Sequence, residues 1–85
     1  MTKVKQLANN QFIIENNNNE AWFQSYNSII VYSPDLNFGK IELDKKYWNY
    51  SKTTSKYRNK FLGETTKETQ AKIDSGEYLL TDLNQ

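Results

Sequence analysis

The spacing of hydrophobic positions changes near residue 50, and this change divides the chain into a strand-rich part and a helical part. Residues 11–15 and 41–45 carry β-prone or alternating side chains between turn-forming residues, which is typical of strands. Residues 21–33 are also strand-like, with a kink or tight turn near residues 26–28 that splits them in two. Within them, the β-branched and aromatic run 29–32 predicts a central strand buried on both faces.

The ends of the chain and one asparagine run complete the β part. Residues 1–9 are polar with isolated apolar side chains, which indicates either a short edge strand or a frayed arm. Residues 16–19 are four asparagines and predict a turn, since asparagine tolerates the left-handed backbone region. Residues 77–83 read as a closing strand, and the last two residues are expected to fray.

The helical part begins after residue 50. Spacings of four, three and four place one stripe of side chains on a single helix face: Tyr50, Thr54, Tyr57 and Phe61. With Ser51 as N-cap and Gly63 as the stop, the spacing predicts a helix over about residues 52–62.

A second, shorter helix is predicted by a capping box. Thr65 and Glu68 have the required spacing, and the helix should run to about Asp74. The element order β-β-β-α-α-β then predicts one small α+β domain over residues 1–85. Its antiparallel sheet of three to five strands should carry the two short helices on one face.

Composition excludes several kinds of chemistry. The 85 residues contain no cysteine and no histidine, which removes disulfides, thiolate sites and the commonest general base. A catalytic Ser–Lys pair is not expected either, because Ser51 and Ser55 are next to lysines in the sequence and adjacent helix residues do not face each other. Glu42 and Asp44 are read as a solvent-facing row on a half-buried strand. We therefore expect no enzyme activity, no metal and no cofactor, and no apolar run is long enough to span a membrane.

One segment indicates a binding face. No acidic residue lies between Asp44 and Glu64, although the net charge of the chain is only +1. Cations and aromatic side chains alternate there, and the candidate binding residues are Lys45, Lys46, Tyr47, Trp48, Lys52, Lys56, Arg58 and Lys60. Cations along a track with exposed aromatic rings suit single-stranded nucleic acid. The competing interpretation assigns the aromatic rings to the core and leaves the cations as an ordinary solvated helix face.

Two sequence motifs resemble a known family. Residues 48–54 contain the pattern Trp-x-Tyr-Ser-x-Thr-Thr, and residues 23–28 contain Phe-x-Ser-Tyr-x-Ser. Together they resemble short bacteriophage proteins of unknown function, over about residues 22–83. The resemblance implies a phage origin, the cytoplasm of an infected bacterial host as the location, and binding to a host or phage macromolecule. It supplies no catalytic residue. A structural role also explains the Trp-x-Tyr-Ser-x-Thr-Thr motif, with its aromatic residues stapling the start of the helix and its hydroxyls capping it.

Three functions therefore stand as expectations. The first is a phage-encoded interaction protein that binds a host or phage protein, such as an inhibitor of a host defence factor, for example a CRISPR nuclease. The second is a single-stranded nucleic-acid-binding module that uses residues 45–60. The third is a minor virion or assembly protein. A homodimer through an exposed edge formed by residues 1–15 is also open.

Overall fold

Six strands and two helices make up the computed structural model, which describes residues 2–84. The strands of the first half are β1 (Lys3–Ala8), β2 (Gln11–Glu15), β3 (Ala21–Ser25), β4 (Ser28–Ser33) and β5 (Glu42–Asp44). The helices α1 (Lys52–Leu62) and α2 (Thr66–Asp74) follow, and β6 (Leu79–Thr81) comes last. The predicted α+β class is confirmed.

All six strands form one mixed sheet in the order β1-β2-β3-β4-β5-β6. The pairs from β1 to β5 are antiparallel, whereas β5 and β6 are parallel. Parallel neighbours need a long crossover connection, and the segment containing α1 and α2 provides it. The prediction of three to five antiparallel strands was therefore wrong in strand number and in the last pairing. Residues 3–8 form an edge strand, so the alternative of a frayed arm is wrong.

The hydrophobic core lies between the sheet and the helices. Its buried members are Phe23, Ile30, Val31, Leu43 and Tyr78. Phe23 stacks against Phe61 of α1 with 5.9 Å between ring centroids, which places α1 on this side of the sheet. Partly buried side chains from both helices, including Leu62 and Ile73, pack against the same cluster.

A bulge in β4 explains why two consecutive residues are both buried. Phe23 pairs with Val31, and its neighbour Gln24 pairs with Ile29, which leaves Ile30 as an extra residue in the ladder. A bulge interrupts the strict alternation of a strand. Ile30 and Val31 therefore both join the core, while Tyr32 stays half-buried. The prediction that residues 29–32 form a strand buried on both faces was therefore wrong, because the two consecutive buried residues result from the bulge.

Both helices begin and end at the residues that the sequence predicted. The Ser51 hydroxyl accepts the Thr54 N–H at 3.1 Å, and Gly63 ends α1 in the left-handed region at φ 70°. Thr65 and Glu68 form a complete capping box at the start of α2. No helix among residues 2–84 is both long and apolar enough to cross a bilayer.

The buried carboxylate of Glu64, between α1 and α2, contacts both α2 and the residue that precedes β6. Glu64 accepts a hydrogen bond from the Tyr78 hydroxyl and pairs with the Lys72 ammonium at 2.8 Å. Burial, together with the Glu64 contact, raises the pKa of Tyr78 to about 12. These contacts hold α2 against the strand that closes the sheet.

The C-terminus also differs from expectation. Asn84 exchanges two hydrogen bonds with the backbone of Ile29, at 2.7 and 2.8 Å, in the manner of a strand partner. The prediction that Asn84 frays is therefore wrong, and Gln85 lies outside the described residues.

Candidate binding surface

Five of the predicted cations are exposed on one part of the molecule. They are Lys45 and Lys46 in the turn after β5, and Lys52, Lys56 and Lys60 on α1. The three helix lysines are spaced by four, so they form one stripe on the outer side of α1. Within residues 2–84, both ion pairs closer than 4.0 Å involve Lys72, so none of these five lysines is neutralised by a carboxylate at that distance.

Tyrosine rings lie directly beside several of these cations. The ammonium groups of Lys56 and Lys60 are 5.4 and 5.1 Å from the ring centroid of Tyr57. Lys46 lies 5.3 Å from the ring of Tyr47. Such cation–π contacts orient flexible lysine side chains without neutralising them. The cations therefore stay available to an anionic partner.

A groove of about 570 Å³ lies between the β3–β4 turn and the loop that leads into α1. Tyr26 is 51% exposed on one side, and Tyr50 is 69% exposed on the other. Tyr47 also lines the groove and meets Tyr50 edge-on, with 5.5 Å between ring centroids. Serine and threonine side chains contribute to the lining: Ser25, Ser28, Ser51, Thr53 and Thr54. The groove thus combines aromatic rings with hydroxyl groups.

A second, more polar depression of about 650 Å³ adjoins the groove and shares Tyr47 with it. Its lining includes Lys45 and Lys46 but also Asp44 and Asp82. Because both signs of charge are present, this depression is less suited to a polyanion than the helix stripe. We use the name lysine–tyrosine surface for the groove tyrosines and the five exposed lysines: Tyr26, Tyr47, Tyr50, Lys45, Lys46, Lys52, Lys56 and Lys60.

The two motifs singled out in the sequence meet at the base of the groove. Ser25 belongs to the Phe-x-Ser-Tyr-x-Ser motif and Thr54 to the Trp-x-Tyr-Ser-x-Thr-Thr motif, and their hydroxyl oxygens are 2.8 Å apart in a buried hydrogen bond. Thr54 also accepts a hydrogen bond from the Ser51 hydroxyl at 3.1 Å. Local capping and long-range packing thus use the same threonine.

Arg58 does not belong to this surface, which corrects the sequence prediction. Its side chain is fully buried, and it follows Thr54 and precedes Phe61 on the inner face of α1. The guanidinium donates to the Trp48 carbonyl and, at 2.7 Å, to the Thr66 hydroxyl. Burial lowers the pKa of Arg58, and the nearby Glu64 carboxylate opposes this shift. Arg58 is therefore an internal brace between the two helices and the preceding loop.

Two other predicted positions also differ from expectation. Trp48 is half-buried and packs against the core, with its ring 5.0 Å from the Arg58 guanidinium carbon. Tyr50 was assigned to the inner helix stripe, but it precedes α1 and points outward. The predicted inward placement of Thr54, Tyr57 and Phe61 is confirmed, and Arg58 joins them on the inner side of α1.

Asp44 is buried, so the expectation of a solvent-facing Glu42–Asp44 row is wrong for this residue. Its carboxylate accepts N–H groups from Lys46, Tyr47 and Leu83 at 3.1, 2.8 and 2.9 Å. Burial alone would raise the pKa of Asp44, but these hydrogen bonds outweigh it and hold the pKa below its ordinary value. Asp44 fixes the turn that carries Lys45, Lys46 and Tyr47.

Sequence reasoning missed Tyr26 as a groove residue. The signal that could have found it is the Phe-x-Ser-Tyr-x-Ser motif, because Ser25 and Tyr26 sit where β3 turns into β4. No group of three or more histidine, cysteine, aspartate or glutamate side chains within residues 2–84 is arranged to hold a metal ion.

Comparison with known proteins gives one result that bears on this surface. No curated protein and no solved structure matches the chain. A family model described as a family of unknown function (DUF8033) matches residues 1–77 and so includes both motifs of the groove. The chain therefore belongs to the DUF8033 family, whose function is unknown.

Proposed function

We propose that the protein is a non-enzymatic binding module that holds single-stranded nucleic acid on its lysine–tyrosine surface. The observation that carries the proposal is the placement of five un-neutralised lysines next to a groove flanked by two exposed tyrosines, Tyr26 and Tyr50. Positively charged tracks attract the phosphate backbone, and exposed rings provide stacking surfaces for unpaired bases.

The geometry of the surface suits its lysines to phosphate contacts and its groove to a base. Lys52, Lys56 and Lys60 lie along α1, where positions four apart are separated by about 6 Å of rise. They would contact successive phosphates. The groove would receive a base between the rings of Tyr26 and Tyr50, and its hydroxyls would hydrogen-bond to the edge of that base. Lysine is depleted at the centres of protein–protein interfaces, which also favours an anionic polymer over a protein.

Binding to a fluorescent oligothymidylate, followed by anisotropy at increasing salt, tests the proposal. The logarithm of the association constant should fall linearly with the logarithm of the salt concentration. The slope should be about −0.7 for each phosphate contact, or about −3.5 if all five lysines take part. Lys56→Gln and Tyr50→Ser should each weaken binding. The matched controls Lys67→Gln and Leu36→Ser change exposed residues elsewhere and should leave it unchanged. Absence of binding at about 50 mM salt would overturn the proposal.

A second candidate is a partner protein bound at the same surface. The observation that favours it is the net charge of +1, since a near-neutral chain gains little long-range attraction for polyanions. Tyrosine is common among interface hot spots, and Tyr50 offers an exposed ring. The partner would be a host or phage protein, in the most specific form a host defence factor that this chain inhibits. A role in the virion or its assembly would use the same kind of contact.

Retrieval of proteins from a bacterial lysate separates this candidate from the first. A protein partner should be captured by the wild-type chain after nuclease treatment, and capture should weaken with Tyr50→Ser and with Lys56→Glu. The Lys67→Glu variant is the control, because Lys67 lies on α2 and is also exposed. If the captured protein disappears on nuclease treatment, the nucleic acid is the direct ligand.

A further inference from the structure

The face of the sheet opposite α1 carries a continuous row of mostly apolar side chains. The register joins one residue from each strand across the whole sheet, in the order Val4, Ile14, Trp22, Tyr32, Glu42 and Leu79. Directly paired residues project on the same side of a sheet. The rings of Trp22 and Tyr32 confirm this, since their centroids are 5.4 Å apart. We call this side of the sheet the open face.

The core does not cover the open face. The hydrophobic cluster under α1 includes Phe23, Val31 and Leu43, which alternate with the open-face row, and Ile14, Trp22 and Tyr32 lie outside that cluster. Val4 and Leu79 at the two ends of the row are exposed. Ile14, Trp22 and Tyr32 between them are half-buried, and a partly exposed apolar row on one side of a small domain is typical of an interaction surface.

The charges on the open face are opposite in sign to those of the lysine–tyrosine surface. None of the strand residues that the register places on this face is Lys or Arg, and Glu42 lies within the row. Glu20 lies at its margin and accepts hydrogen bonds from Tyr32 and Asn16. The Tyr32 hydrogen bond, supported by that of Asn16, lowers the pKa of Glu20, so this carboxylate is ionised at neutral pH.

A depression of about 600 Å³ opens beside the row at Tyr32. Tyr32 and Phe38 form aromatic walls, and Glu20 and Asp35 supply two carboxylates. Phe38 is 89% exposed, so its ring is almost bare. Asn19 donates to Asp35 at 3.3 Å, and neither carboxylate has a cation within 4.0 Å among residues 2–84. The depression thus combines one bare aromatic ring, that of Phe38, and the half-buried ring of Tyr32 with uncompensated negative charge.

We propose that the open face is a docking surface for a basic segment of a partner protein. An arginine or lysine side chain of that segment enters the depression between Tyr32 and Phe38, and its apolar side chains lie on Ile14 and Trp22. Two carboxylates alone would not define a site. Here they adjoin a partly exposed apolar row and the bare ring of Phe38, and this combination matches a cation with an apolar stem.

The charge distribution selects this occupant over the alternatives. A nucleic acid would be repelled by Glu20, Asp35 and Glu42, and an acidic peptide would be repelled in the same way. The inference goes beyond the proposed function, because it concerns the other side of the sheet and ligands of opposite charge. If both hold, the chain bridges a polyanion on one side and a basic protein segment on the other.

Titration of ¹⁵N-labelled protein with a peptide of alternating arginine and leucine tests the inference. Resonance shifts should concentrate at Glu20, Trp22, Tyr32 and Phe38, including the indole N–H of Trp22. Peptides with glutamate in place of arginine should produce no shifts, and peptides with serine in place of leucine should bind more weakly. Shifts spread over all exposed carboxylates, such as Glu68 and Asp74 on α2, would indicate unspecific attraction and overturn the proposal.

Variants provide the second arm of the test. Phe38→Ser and Glu20→Gln should each weaken the binding of the arginine–leucine peptide, by roughly twofold to fivefold. The controls Leu36→Ser and Glu15→Gln change an exposed apolar residue and an exposed glutamate outside the depression, and should bind as wild type. Unchanged affinity in both test variants would overturn the proposal. Oligothymidylate binding should be normal in all four variants, so this inference and the proposed function fail independently.

Discussion

Ser25 and Thr54, which are 29 residues apart, share a buried hydrogen bond of 2.8 Å between their side-chain oxygens. The bond joins the last residue of β3 to the first turn of α1. It lies at the base of the groove, directly between the β3–β4 turn and the loop before the helix. The relative position of Tyr26 and Tyr50, one on each side of the groove, therefore depends on this contact.

Replacing Thr54 by valine should destabilise the protein, because valine keeps the shape but leaves the Ser25 hydroxyl buried without its partner. We expect a loss of about 1–2 kcal/mol in the free energy of unfolding, measured by urea denaturation. Ser25→Ala combined with Thr54→Val should cost less than the sum of the two single changes. Strict additivity would show that the two hydroxyls do not stabilise each other.

Substitution by methionine should destabilise the protein strongly at Arg58 and very little at Lys56. Arg58→Met removes the donors to the Trp48 carbonyl and the Thr66 hydroxyl, and should cost about 2–4 kcal/mol of stability. Lys56→Met changes an exposed residue and should alter stability by less than about 0.5 kcal/mol. Thermal unfolding of both variants provides the measurement.

Oligonucleotide affinity should show the reverse order. Lys56→Met should bind more weakly than wild type, whereas the folded molecules of Arg58→Met should bind with unchanged affinity. If Arg58→Met is too unstable to assay, Arg58→Lys keeps one charged donor and allows the same comparison. A stable Arg58→Met variant with reduced affinity would mean that this arginine contacts the ligand.

The position of Arg58 shows which features of α1 could not be predicted from the sequence. The helix bounds were predictable because Ser51, Gly63 and the Thr65–Glu68 box are local signals, each of which acts within one turn. The burial of Arg58 on the inner face of α1 was not predictable. Residues 54, 58 and 61 are spaced as regularly as the aromatic stripe, but an arginine is normally assigned to solvent. Only the loop carbonyl and α2, brought together by the fold, provide the partners that make its burial possible.

The sheet shows the same limit at longer range. The antiparallel neighbours β1 to β5 follow one another along the chain, so alternation and turns indicate most of them. The parallel pairing of β6 with β5 depends on how two helices cross over, and no local pattern of residues 77–83 encodes it. The bulge at Ile30 was hidden for a similar reason, because a run of apolar residues is compatible with either double burial or an extra residue.

Asp44 should make the protein sensitive to acid. Its pKa in the folded state lies below the ordinary value of 3.8, so its contribution to stability is complete above that value and is lost as the pH falls through the folded pKa. Asp44→Asn should lower the free energy of unfolding by about 1–3 kcal/mol at neutral pH. The difference from wild type should shrink as the pH is lowered below 3.8.

Urea denaturation of both proteins across this pH range provides the measurement. Asp74→Asn is the matched control, since Asp74 is exposed near the end of α2 and should behave as wild type at every pH. A constant difference between Asp44→Asn and wild type down to strongly acidic pH would contradict the assigned role.

Tyr26 should be more useful for binding than for folding. Its φ of 56° lies in the left-handed region, which tyrosine tolerates poorly, whereas the two other non-glycine residues with positive φ among residues 2–84 are both asparagine, Asn10 and Asn19. Tyr26→Asn should therefore leave stability unchanged or raise it by up to about 1 kcal/mol. The same variant should bind oligothymidylate less tightly by about 1–3 kcal/mol, because one stacking ring is lost.

Two further variants separate backbone strain from ring chemistry. Tyr26→Phe keeps the ring and should retain both affinity and stability, while Tyr50→Asn should lose affinity without any gain in stability, since Tyr50 has no positive φ. Denaturant unfolding and fluorescence anisotropy on the same preparations give both quantities. A large loss of stability in Tyr26→Asn with normal oligonucleotide affinity would show that the tyrosine is kept for packing, and the strained turn would then need an explanation other than binding.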